Sequence, residues 1–199
     1  MTSDPYGLQR VVRPHGVLPQ RADVLDVATP LRPDELLIDV DHLNIDAASF
    51  RQLEKVEEGD PARIGRAIEE IVRERGKMHN PVTGSGGMLI GRVREVGPQH
   101  PAHGVLAPGD RIATLVSLTL TPLRLVRIKA VHKETERVDV EGQAILFATG
   151  LYAKLPGDLP DSLALAALDV CGAPALVKRH ARPGDRVLVI GAGKSGVLC

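Results

Sequence analysis

Residues 75–88 read Arg-Gly-Lys-Met-His-Asn-Pro-Val-Thr-Gly-Ser-Gly-Gly-Met. One turn-rich segment therefore carries an amine (Lys77), an imidazole (His79), a carboxamide (Asn80) and two hydroxyls (Thr83, Ser85). Loops of this kind on a rigid scaffold are where binding groups concentrate. Gly86 and Gly87 leave the backbone free to aim N–H groups at a carboxylate. The opposing reading is that Asn80-Pro81 and Gly84–Gly87 only make turns. As a cluster, the residues favour a site.

A second stretch, Leu43-Asn44-Ile45-Asp46-Ala47-Ala48-Ser49-Phe50, mixes polar and apolar residues just after a strand pattern. Asp46 is a candidate catalytic carboxylate. It is equally a candidate N-cap for a short helical turn over Ala47-Ala48-Ser49, and the two roles are compatible.

The third is the end of the chain. Val187-Leu188-Val189-Ile190 feeds Gly191-Ala192-Gly193-Lys194-Ser195-Gly196, an apolar run followed by G-x-G-x-x-G. That context opens a dinucleotide-binding βαβ unit. Gly191 would allow the tight turn, Gly193 the approach of backbone to pyrophosphate, and Gly196 close packing of helix on strand. Lys194 and Ser195 fall at the helix start, where free N–H groups and the helix dipole favour phosphate. The acidic residue that separates NAD from NADP is expected about 20 positions further on, beyond Cys199, so both cofactors stay open. Against the roughly 150 residues of a whole domain, one strand and a helix start are expected here, making the chain an incomplete N-terminal part.

The elements that must position these groups follow from periodicity. Residues 35–43 alternate as a strand, with Leu36, Ile38 and Val40 on one face and Leu37, Asp39 and Asp41 on the other. Asp60-Pro61 starts a helix carrying Ile64, Ala67, Ile68, Ile71 and Val72, and Gly76 stops it. Strand patterns follow over 88–96, 110–118, 123–131 and 143–148, most of them bounded by Gly and Pro turns. The expected fold is mixed β/α: a partly open β-barrel domain over 1–155, then 156–199 as linker helices and the first strand of a doubly wound domain. Asp161 or Ser162 is expected to cap the linker helix, with Gly172 and Pro174 kinking or splitting it before Ala175–His180.

Composition narrows the class. Twenty-five basic residues balance twenty-five acidic ones, and 43% of the residues are hydrophobic, which excludes steering toward nucleic acid or an anionic membrane. No apolar run reaches the ~18 residues of a membrane helix, and Met-Thr-Ser-Asp-Pro is no signal peptide. Cys171 and Cys199 lie far apart, as reduced thiols of a cytoplasmic protein would. His15, His42, His100, His103, His132 and His180 lack ligand spacing, and no metal is expected. Asp169 and Cys171, in the linker helix, read as a hydrogen-bonded buried carboxyl and a small core residue.

This order of segments, with Asn-Ile-Asp (44–46), Ala-Pro-Gly-Asp-Arg-Ile-Ala (107–113) and Gly-Ala-Pro-Ala-Leu (172–176), resembles the medium-chain dehydrogenase/reductase superfamily, in which a GroES-like catalytic domain precedes a Rossmann domain. Zinc-dependent members carry Cys after the first strand and Gly-His-Glu where this chain has Gly84-Ser85-Gly86. Both ligand positions are non-ligands here.

Residues 74–91, 44–50, 113–123 and 164–170 further resemble the L-erythro-3,5-diaminohexanoate dehydrogenase family of lysine fermentation, from about Tyr6 to Cys199. That resemblance implies NAD(P)-dependent oxidative deamination of a small diamino acid to 5-amino-3-oxohexanoate, by an intact enzyme that is a homodimer. Within the matched motifs, Asp46 would be base or ammonium partner, and Lys77 and His79 proton-relay or carboxylate groups. Asn80, Thr83, Ser85 and the Gly86-Gly87 amides would bind substrate. The rival readings are a zinc-free quinone or enoyl reductase and a non-catalytic GroES-like binding or oligomerisation module. The dense polar loop at 75–87 argues against the reductase.

Overall fold

The computed structural model describes residues 4–28 and 30–199. Its organising element is β3 (Glu35–Ile45). Leu36, Ile38 and Val40 are buried on one face, and a bulge between Val40 and His42 resets the alternation so that Leu43 and Ile45 return to the same core. The expected outward face is only half polar. Leu37 is buried in a satellite cluster with Ile145 and Phe147, whereas Asp39 meets Arg94 at 3.3 Å.

Two helices follow directly. Asp46 caps α1 (Ala47–Val56), which runs well beyond the single turn expected from sequence. Helix α2 (Pro61–Arg75) has Asp60 as its cap, Pro61 in its first turn and Gly76 closing it at φ +63°. Its face of Ile64, Ile68 and Val72 fills the core with Phe50 and Leu53 of α1.

β3 pairs antiparallel with β4 (Gly87–Val96) on one side and β7 (Arg137–Phe147) on the other. With β5 (Arg111–Thr114), β6 (Leu123–His132) and β8 (Tyr152–Lys154), the order is β6-β7-β3-β4-β5-β8. A small separate ribbon joins β1 (Val11–Arg13) to β2 (Val24–Leu25); neither these strands nor β8 shows a periodic pattern in sequence. β7 begins six residues before the expected 143, because Val138 and Val140 point inward between the outward Asp139 and Glu141. β5 stops well short of the expected 118. There Ser117 Oγ accepts from Thr119 N (3.2 Å) and Thr121 Oγ1 donates to the Ser117 carbonyl (3.0 Å), a side-chain turn that competes with a ladder.

Arg10 anchors the N-terminal segment. Its guanidinium forks onto Glu35, with Nε–Oε1 2.8 Å and Nη2–Oε2 2.6 Å, both side chains at most 2% exposed.

Beyond the sheet, α3 (Asp161–Leu168) lays Ala164 and Leu165 on Met88, Ile90, Ala113 and Leu155. The expected caps are corrected. Pro160 is the N-cap and makes no side-chain cap bond. Asp161, the first helical residue, turns its carboxylate to His42 and Arg111 instead. The helix breaks at 169–171 and resumes as α4 (Gly172–His180), with Pro174 tolerated in its first turn.

The expected parallel strand at 187–190 does not form. Val187, Leu188, Val189 and Ile190 are 42–92% exposed, and no described segment lies alongside to share a ladder. The chain then turns into α5 (Lys194–Leu198). No helix among the described residues is long and apolar enough to cross a membrane.

Candidate functional site

β3 delivers Asp46 to the head of α1, and β4 delivers the 77–87 loop beside it. Asp46 Oδ1 accepts from Ala48 N and Ser49 N, each at 3.1 Å. Its backbone N donates to the Gly86 carbonyl at 3.3 Å. The capping reading is therefore realised with one oxygen, while Oδ2 is buried without a partner. Locking one oxygen fixes the direction of the other.

The loop folds onto α1 through hydroxyls. Ser49, fully buried, sets its Oγ 2.6 Å from Thr83 Oγ1 and 2.9 Å from Ser85 Oγ, and Thr83 and Ser85 are 3.1 Å apart. Ser49 carried no expectation beyond its place in a helical turn; the serine three residues after an aspartate cap was its only trace in the sequence. Asn80 is engaged at both ends. Its Oδ1 accepts from Val82 N (2.8 Å) and Thr83 N (3.3 Å), and its Nδ2 donates to Gln52 Oε1 (2.8 Å). Gly86 and Gly87 are packed tightly: an added Cβ at Gly86 would meet the Met78 carbonyl at 2.5 Å, and one at Gly87 would collide with the Asn44 carbonyl.

Lys77, in the same loop, points elsewhere. Lys77 is fully buried and donates to the carbonyls of Pro19 (2.8 Å) and Gln20 (3.2 Å). Burial, aided by the charge of Arg75, lowers its pKa to about 8. Burial and the charges of Lys77 and Arg75 likewise hold His79 below its ordinary value, and its Nδ1 is buried without a partner. No hydrogen bond joins either residue to Asp46 among the described residues.

On the opposite side of Asp46, the C-terminal segment closes in. Lys194 Nζ reaches Glu136 Oε2 at 3.5 Å. Two expectations are corrected here: Asp169 is exposed with no side-chain hydrogen bond among the described residues, and Cys171 is only half-buried, outside the core clusters. Partial desolvation of the Asp169 carboxyl, reinforced by Asp46 and Glu136 and partly offset by Lys194, still pushes it above the usual carboxylate range. A cavity of about 100 Å³ lies here, walled by Asn44, Arg137 and Lys194 among others. The fold thus brings Asp46 and the lysine of the glycine-rich turn, 148 positions apart in sequence, into one electrostatic neighbourhood.

Gly191 sits at φ +111°, and a Cβ at Gly196 would collide with the Gly191 carbonyl. Gly193 is extended and caps α5, with Ser195 in the first turn. Among the described residues, no three His, Cys, Asp or Glu side chains are grouped to hold a metal ion.

A charged network that periodicity alone could not show ties sheet to helix. His42 Nδ1 and His132 Nε2 both meet Asp139, each at 2.8 Å. Burial raises the Asp139 carboxyl, but those two hydrogen bonds and the charge of Arg137 carry it below its ordinary value. His42 and Asp139 face one another only once the β3–β7 register is known.

A family model described as the N-terminal domain of L-erythro-3,5-diaminohexanoate dehydrogenase matches residues 9–156. The chain is 53% identical over 195 residues to an L-erythro-3,5-diaminohexanoate dehydrogenase of Fusobacterium nucleatum, covering 98% of this chain and 56% of that protein. It is 51% identical to the protein of the same name from Acetoanaerobium sticklandii, covering 98% of this chain and 57% of that protein. The chain therefore spans a little over half the length of these curated relatives. Among solved structures, the alcohol dehydrogenase TADH from Thermus sp. ATN1 aligns at 19% identity with a TM-score of 0.45, over 89% of this chain and 50% of its own, a likeness too distant to define the fold.

Proposed function

The chain belongs to the family of the L-erythro-3,5-diaminohexanoate dehydrogenase N-terminal domain, and on that premise we propose that it is the substrate-binding part of an NAD(P)-dependent oxidoreductase that deaminates L-erythro-3,5-diaminohexanoate. In this reading residues 1–155 form a GroES-like substrate domain, and 156–199 lead into a Rossmann dinucleotide-binding domain. The backbone of the turn Gly191, Gly193, Ser195 and Gly196 would meet the cofactor's phosphates, while the Lys194 side chain turns away to Glu136.

When bound, the nicotinamide accepts the hydride from C3. The protein's task is to remove protons from the C3 ammonium, so that the nitrogen lone pair can drive hydride departure. Water then adds to the resulting iminium carbon, and ammonia leaves to give the ketone. Asp46 is the proton acceptor. The observation that carries this role is its buried, unpartnered Oδ2, aimed by the cap that Oδ1 makes. Thr83 and Ser85, held by Ser49, offer hydroxyl oxygens to substrate ammonium groups. His79, kept neutral by burial and neighbouring cations, supplies a second acceptor, and Lys77 holds the loop to the 19–20 segment.

The test is a chimera in which this chain is continued by the part of the Fusobacterium relative that it does not match. The chimera should reduce NAD(P) with the diamino acid. Asp46→Asn, which keeps the Oδ1 cap, should lower kcat by at least about 100-fold with an unchanged melting temperature. Reduction of simple enones or quinones by the reduced cofactor, with no oxidation of the diamino acid, would overturn the assignment.

A further inference from the structure

The cavity beside Lys194 has a chemistry of its own. Asn44 is the last side chain before Ile45 on β3, is 2% exposed, and its Nδ2 is buried with no hydrogen-bond partner. A buried amide N–H₂ left unpaired costs about 1–3 kcal/mol, so such a donor in a cavity wall implies an acceptor that arrives with a ligand. Arg137 is the cross-strand neighbour of Asn44. Its Nε faces Asp139 Oδ1 at 2.9 Å and its Nη2 faces His132 Nε2 at 3.1 Å, while Nη1 has no partner among the described residues. Lys194 brings a third donor, with one contact to Glu136 at 3.5 Å. Leu165 and Ala166 of α3 supply an apolar wall, and Glu134, exposed, also lines the cavity.

Three donors, two of them cationic, around about 100 Å³ match a single planar oxyanion and leave no room for a nucleotide. We infer that the cavity walled by Asn44, Arg137 and Lys194 is a carboxylate subsite, and that it takes the carboxylate of the amino-acid substrate, which rests on the deamination proposed above. Arg and Asn N–H groups suit a carboxylate's two oxygens. The subsite shifts carboxylate recognition away from Thr83, Ser85, Gly86 and Gly87, where the sequence suggested it. Thr83 and Ser85 bond to Ser49 and to each other, and Gly86 and Gly87 pack against the Met78 and Asn44 carbonyls, whose oxygens would repel a carboxylate. Asn44 is a donor with nothing to serve. It lies two residues from Asp46, so a carboxylate held here would present the rest of the substrate to the Asp46 carboxylate.

The test uses butanoate, a carboxylate with no amine, and inorganic pyrophosphate as the rival oxyanion. In ¹H–¹⁵N spectra of the full chain, butanoate should move the Asn44 side-chain N–H₂ signals saturably, and pyrophosphate should not. Asn44→Asp, isosteric but without the donor and with an opposing charge, should weaken butanoate binding by at least about tenfold. Lys194→Ala, at a half-exposed position whose loss leaves the core intact, should weaken it severalfold. An Asn44 signal that ignores butanoate, or that answers pyrophosphate instead, overturns the subsite. Butanoate binding that depends on Asn44, in a chimera that fails to oxidise the diamino acid, keeps the carboxylate subsite and overturns the proposed reaction alone.

Discussion

His42 Nε2 lies 3.0 Å from Asp161 Oδ2, across 119 residues of sequence. One imidazole at the middle of the sheet thereby holds the first helix of the C-terminal segment, its other nitrogen bonded to Asp139. The same Asp161 carboxylate lies 3.0 Å from Arg111. Asp161→Asn keeps the shape and removes the charge. It should lower stability by about 1–2 kcal/mol, as expected for a part-buried charged hydrogen bond. Hydrogen exchange should locate the loss in α3, and a double-mutant cycle with His42→Ala should show coupling. Exchange rates in α3 equal to wild type would refute the clamp.

Arg10 and Glu35 form a fork with both side chains almost wholly buried. Removing one partner of such a pair strands the other charge, which costs about 3–5 kcal/mol. Arg10→Met should therefore destabilise severely, whereas the double variant Arg10→Met/Glu35→Met should recover much of the loss. Chemical denaturation of the three proteins measures both effects.

The folded pKa of Lys77, about 8, lies below its ordinary 10.5. Between those values the unfolded chain holds the proton and the folded chain has released it, so this group makes stability rise with pH across that window. Lys77→Met should flatten that rise. Denaturation midpoints at pH 7.5, 9 and 10.5, compared with wild type, show whether the slope depends on Lys77.

Gly84 and Gly87 both have positive φ, +73° and +115°, but only Gly87 abuts backbone, at the Asn44 carbonyl. Gly84→Ala should cost about 1 kcal/mol of left-handed strain. Gly87→Ala must also part β3 from β4 and should cost at least about twice as much. Equal melting temperatures for the two variants would contradict this.

His79 is held below its ordinary value of 6.5, so at pH 7 its imidazole is neutral and able to accept. In the chimera, His79→Ala should lower kcat/KM by at least about tenfold and remove an acid-side limb from the pH profile. His103, exposed in a turn, should be replaceable by alanine without effect.

Much of this protein could be read from residue order alone, because local rules act over a few positions. Asp60-Pro61 and Gly76 delimit α2, period-two burial marks β3 and β4, and Asp46 caps the helix that follows it. The family too is carried by contiguous motifs such as 74–91. What the sequence could not contain is register. The bulge at Val40/His42 decides that His42 faces Asp139 and that Asn44 sits across from Arg137. A shift of one residue would send each to the other face. Long-range packing likewise decided which polar groups were consumed and which were spared. Asn80 and Lys77, prominent in sequence, are tied up within the fold or its backbone. Asn44, given no role of its own in the sequence, is left with a buried free donor, because burial and hydrogen-bond supply are set by neighbours that only tertiary structure assembles.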